Sequence, residues 1–178
     1  MTAPAKHPAR RPRARGGEPG IAGFVLRLLI GWAVAIGVLA LVPAIEHGAI
    51  VGTVGSVAGT LRLASLAPGV TGNTITLGAL AVRIVPECTP VMPAVLLATA
   101  IVAYPSALRW KLIGVAAGFA ALWVFNVVRV LALFGTLAWW PGSFKFTHVY
   151  LWQTVSLLVV SGLFLAWLRL APARRAPA

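Results

Sequence analysis

The sequence predicts an all-α integral membrane protein with about four transmembrane helices, an interfacial helix and a short extracytoplasmic β-hairpin. Three observations carry that prediction. Hydrophobic residues make up 60% of the 178 and charged residues only 10%, against about 25% charged in a soluble domain. The mean hydropathy is +0.92. Apolar runs recur at lengths suited to a hydrocarbon core of about 30 Å. This composition excludes a cytosolic enzyme and a disordered chain, and the single cysteine excludes an internal disulfide.

The chain begins with Lys6, Arg10, Arg11, Arg13 and Arg15 among Pro and Ala. Residues 1–20 read as a disordered cytoplasmic tail that signals topology to anionic lipid heads. Arg10-Arg11 is a weak match to a twin-arginine signal. The apolar run that follows is longer than a signal-peptide core of about 7–15 residues and has no small-x-small cleavage site, so it reads as a retained span. That first span runs about Phe24 to Ile45 and ends at Glu46-His47. Gly48 to Leu61 is apolar but too short to cross, and Ile50, Val54, Val57 and Leu61 fall on one helical stripe. It reads as an interfacial helix; close packing through Gly55 and Gly59 is the alternative. Thr74–Leu77 and Leu80–Ile84 alternate at period two around Gly78-Ala79, the pattern of a β-hairpin, which must sit outside the hydrocarbon because its edges need partners. Further apolar runs extend from Thr89 to Tyr104, from Leu112 to Leu137 and from Val149 to Leu170. Residues 21–170 thus form the membrane domain, 46–88 its extracytoplasmic segment, and 171–178 a second cytoplasmic tail.

The net charge of +12 comes from fifteen Lys and Arg against three Glu. Its distribution points to lipid rather than nucleic acid. With the N-terminus inside, eleven basic residues lie on the inner side, among them Arg109, Lys111, Arg169, Arg174 and Arg175. Only Arg62, Arg83 and Lys145 lie outside. This bias predicts four spans with both termini inside.

On that topology Cys88 lies at the outer mouth of the second span, Arg129 near the outer end of the third, and His148 at the outer start of the fourth. A thiolate is a strong nucleophile, favoured by a nearby cation. A histidine can take the thiol proton and return it to a leaving amine. An arginine can hold an oxyanion or anchor a carboxylate. A charge within a span is costly and points to function. Asn126, one turn below Arg129, can hydrogen-bond it or a neighbouring helix. A helix starting at Cys88 or Thr89 would favour the thiolate through its free N–H groups. Glu87 opposes that charge and can instead orient His148 or pair with Arg129.

The order Glu87-Cys88-Thr89-Pro90, then Asn126-x-x-Arg129 with Val130-Leu131-Ala132-Leu133-Phe134, then Thr147-His148-Val149-Tyr150-Leu151-Trp152-Gln153 resembles the exosortase/archaeosortase family of membrane transpeptidases, above all its small bacterial members. The likeness spans about Gly48 to Trp167. It departs at Thr89-Pro90, where many members have a small residue and Gly. The resemblance implies that 21–170 is a membrane transpeptidase domain with Cys88, Arg129 and His148 as its active site, Asn126 and Glu87 supporting. It implies a bacterial cytoplasmic-membrane enzyme, active at the outer face, without cofactor or metal. Its substrates would be secreted proteins ending in a short motif, a membrane helix and a basic tail. Cys88 would form a thioester near the motif, release the helix, and pass the acyl group to an acceptor. The rival readings are a non-enzymatic channel or transporter subunit, and a thiol-dependent enzyme acting on lipid or glycan.

Overall fold

A computed structural model describes residues 20–171; the two expected tails lie almost entirely outside the described residues. The described residues are mostly helical, with one small sheet. Helix α1 (Ile21–Leu41) is followed at once by α2 (Pro43–Leu63). Then come strands β1 (Gly69–Thr71), β2 (Thr74–Leu77) and β3 (Leu80–Arg83), a 3-10 turn at Pro86–Cys88, and helices α3 (Val91–Ala103) and α4 (Leu108–Trp139). After a second 3-10 turn at Pro141–Ser143, α5 (Phe144–Phe146) runs through a π-helical turn (Thr147–Leu151) into α6 (Trp152–Leu170). Among the described residues, three helical stretches are long and apolar enough to cross a membrane: Ile21–Leu41, Leu108–Trp139 and Pro141–Leu170. This suggests membrane association. Exposed Leu26, Leu29, Ile30 and Val34 on α1 are an apolar surface that suits lipid better than water.

The first apolar run does not continue to Ile45. Proline disfavours a helical residue before it, and Val42 accordingly leaves the helix at φ −125° and ψ 73°. Pro43 then opens α2 at a position where its missing N–H costs nothing. The stop expected at Glu46-His47 is absent, since Glu46 sits in the first turn of α2. The expected short helix from Gly48 is therefore the later part of a helix of 21 residues. Its stripe is as expected, with Val54, Val57 and Leu61 buried and Ile50 packed beside them. That face covers Val130 and Phe134 of α4 and Ile75, Val82 and Ile84 of the sheet segment. The close approach of α2 is at Gly52 rather than at the Gly55/Gly59 pair. A Cβ at Gly52 would lie 2.8 Å from the Trp123 indole, whereas nothing lies within 4 Å at Gly55 or Gly59. Trp123 Nε1 also donates to Ser56 Oγ at 3.1 Å.

The hairpin forms where the alternation places it, with Leu77 paired to Leu80 and Thr74 to Arg83. Gly78 takes φ +59° at the turn, a conformation that costs glycine little. The sheet has a third strand that the sequence reading missed: β1 pairs antiparallel with β2 through Gly72-Asn73, giving the order β1-β2-β3. Asn73 ties the sheet to the following segment, its Nδ2 donating to Ile84 O and its own carbonyl accepting from Ile84 N, both at 2.8 Å.

Helix α3 has 13 residues, about 20 Å of helix, shorter than a hydrocarbon core of about 30 Å. It packs against α1, α4 and α6 and is the hub of the bundle. Helix α4 has 32 residues, about 48 Å, so its last turns extend beyond what a core requires. Those turns hold the sheet and α2. At the other end, Trp167 of α6 lies directly against Gly114. Its Nε1 donates to Trp110 O at 2.9 Å, and its ring meets Tyr104 edge-on.

Candidate active site

Cys88 ends the turn that links the sheet to α3. The turn closes with Cys88 N–H on Val85 O at 2.8 Å and Thr89 N–H on Pro86 O at 3.0 Å. Thr89 Oγ1 donates to the same Pro86 carbonyl at 2.7 Å. Two expectations change here. The α-helix starts only at Val91, and the N–H groups of Cys88 and Thr89 are already engaged, so they do not face the thiol as free helix donors. Nor is Cys88 at an open mouth. It is 3% exposed and belongs to one buried cluster with Val54, Val57, Leu61, Val130 and Phe134. The reason is α2, which lies across the turn.

Helix α4 brings two polar side chains to this turn. Asn126 and Arg129, one helical turn apart, are 3% and 4% exposed. Asn126 Nδ2 donates to Cys88 O at 2.8 Å. Arg129 Nη1 donates to Glu87 O at 3.1 Å. Arg129 therefore reaches Glu87 through its backbone, not through its carboxylate, and the Glu87 side chain is exposed. The guanidinium lies within electrostatic range of the Cys88 thiol. Its Nε is buried and has no hydrogen-bond partner.

His148 comes from the π-helical turn. Such single-turn bulges are rare and concentrate at functional sites. The imidazole lies within electrostatic range of both Arg129 and Glu87, and its Nδ1 is buried without a partner. Phe144, four residues earlier, stacks on the ring with centroids 5.8 Å apart and planes within 7°. Sequence reasoning missed Phe144, although an aromatic at i−4 of a helical histidine is a legible pairing. Three distant segments thus place Glu87, Cys88, Asn126, Arg129 and His148 in one region beside the sheet. Among the described residues, no group of three His, Cys, Asp or Glu could hold a metal ion.

The class that fold and site define is a mostly helical membrane-type protein with a buried thiol and guanidinium and a half-buried imidazole gathered at the sheet end of its bundle. No protein-family model, curated protein or solved structure matches the chain.

Proposed function

We propose that this chain is a membrane-embedded cysteine transpeptidase or peptidase of the exosortase/archaeosortase kind, with four spans and its site at the extracytoplasmic face. The observation that carries the reading is the gathering of Cys88, Arg129 and His148 from three segments, with two orphaned buried polar atoms, Arg129 Nε and His148 Nδ1, among them. Burying such atoms without partners costs free energy, and each fits a reaction step. The basic residues, eleven against three, support the orientation. In this orientation α1, α3, α4 and the Pro141–Leu170 stretch cross, α3 being shielded by the other three.

In the proposed reaction His148 takes the Cys88 proton and the thiolate attacks the peptide carbonyl near a C-terminal motif. As the C–S bond forms, the carbonyl oxygen becomes an oxyanion that Arg129 Nε can hold. The C–N bond then breaks, His148 returns the proton to the leaving amine, and the membrane helix of the substrate departs. An acceptor nucleophile resolves the thioester. The thiol is covered by the α2 stripe, so substrate entry requires that cover to shift. The reading is tested by co-expressing the protein with a secreted reporter bearing a short motif, an apolar span and a basic tail. The parent should remove the span and Cys88→Ala should not, at equal protein level; processing by Cys88→Ala ends the reading.

A second reading keeps the thiol and changes the acyl donor to a lipid. An apolar cleft of about 570 Å³, lined by Leu66, Leu77, Leu80, Trp139 and Trp140, shares Leu61 and Phe134 with the buried cluster that contains Cys88. An acylated Cys88 bearing a fatty chain rather than a peptide would favour it.

A further inference from the structure

The turn that carries Cys88 cannot satisfy its own backbone. Its internal hydrogen bonds use the carbonyls of Val85 and Pro86. The next bond of a 3-10 ladder would run from residue 90 to Glu87 O, but residue 90 is proline and has no N–H to give. Glu87 O is thus left over, and Cys88 O takes no backbone partner either; the first is partly and the second fully buried, where an unpaired carbonyl is costly. Helix α4 supplies both missing donors: Arg129 Nη1 to Glu87 O at 3.1 Å and Asn126 Nδ2 to Cys88 O at 2.8 Å. The spacing i, i+3 puts the two side chains on one face, in register with two successive carbonyls. Thr89 Oγ1 closes the turn from the other side through Pro86 O.

We propose that Asn126 is a positioning residue which, with Arg129, clamps the Glu87 and Cys88 carbonyls and so fixes where the thiol points. This deepens the transpeptidase reading and rests on it for its catalytic meaning. The clamp also divides Arg129: one nitrogen holds the turn while Nε stays free to face substrate. The Thr89-Pro90 pair belongs to the same device, because Pro90 creates the vacancy at Glu87 O that α4 fills.

The test uses Asn126→Asp, which keeps the shape but replaces the donor with an acceptor facing Cys88 O, and Asn126→Gln, which keeps the donor on a longer arm. Both are measured in the full-length protein in micelles, with the melting midpoint as a check on folding. Cys88 is the only cysteine, so alkylation by N-ethylmaleimide reports on how that one thiol is held and covered, and needs no substrate. The clamp predicts opposite movements in Asn126→Asp. Alkylation should quicken several-fold as the turn loosens, while kcat for reporter cleavage falls about tenfold or more with KM little changed. A tenfold fall corresponds to about 1.4 kcal/mol, within reach of one buried hydrogen bond. Asn126→Gln should recover part of both. Parent-like alkylation in folded Asn126→Asp overturns the clamp. A parent-like kcat, or a loss of activity fully accounted for by loss of folded protein, overturns its role in catalysis. Failure of the transpeptidase reading is distinct, since it would appear as reporter cleavage that persists in Cys88→Ala.

Discussion

Arg129→Lys separates a forked donor from a point charge. In the parent, Nη1 holds Glu87 O at 3.1 Å while Nε is buried and unpartnered. Lysine keeps the positive charge but offers one nitrogen on a flexible stem. Bound to Glu87 O, that nitrogen leaves the oxyanion of the proposed reaction without its donor; turned toward that oxyanion, it leaves Glu87 O unpaired in a site where Arg129 is 4% exposed. Losing one oxyanion donor costs about 2.7–4 kcal/mol, a factor of about 10² to 10³ in kcat. Arg129→Lys should therefore fall by about that factor, with folding retained because the charge still has Glu87 O within reach. The assay is single-turnover formation of the acyl-enzyme on a sorting-signal peptide in micelles, normalised to folded protein. A lysine variant that acylates at the parent rate would refute the reasoning, because a point charge would then suffice.

Further outcomes follow from other parts of the fold. Gly114→Ala puts a methyl group into the Trp167 indole. It should lower stability by about 1–3 kcal/mol through overpacking, whereas Gly55→Ala, with open space around it, should leave the melting midpoint in micelles unchanged or raised. His148→Ala should slow acylation on rapid mixing with substrate; a normal acylation rate would remove His148 as the proton carrier. Phe144→Leu removes the ring stacked on His148 and should slow the same step less than His148→Ala does, at similar protein level. Single cysteines at Asn73 and Ser143 in a Cys88→Ala background should react with an impermeant thiol reagent from outside the cell. Labelling only from the cytosolic side would overturn the orientation.

Much of the architecture is written in local patterns. The stripe Ile50, Val54, Val57 and Leu61 and the alternation around Gly78-Ala79 each have one dominant period, and each forms as read. The break between α1 and α2 was legible but overridden. Val42-Pro43 carries the steric signal, yet the apolar run continues past it, and hydropathy does not register a backbone break. Strand β1 was hidden because three residues, Gly69–Thr71, are too few to show a period, and Pro68-Gly69 reads as a stop. The Thr89–Tyr104 run forms one helix, at Val91–Ala103, whose 13 residues are short for a span. At the site, residue types were readable and their covering was not. Burial of Cys88 depends on how α2 folds back over the turn, and the bond from Asn126 to Cys88 O spans 38 positions. The π-turn at His148 has no sequence signature of its own.

In the proposed reaction Cys88 is the nucleophile that accepts the acyl group. The most direct test of that role is intact-protein mass spectrometry of the purified protein mixed with a peptide carrying a sorting motif and its membrane helix. The expected result is a hydroxylamine-sensitive adduct on Cys88 with the mass of the acyl portion alone, the helix having left, and no such adduct on Cys88→Ala. Processed peptide with no adduct at Cys88 under rapid quench, or the same adduct on Cys88→Ala, would contradict it.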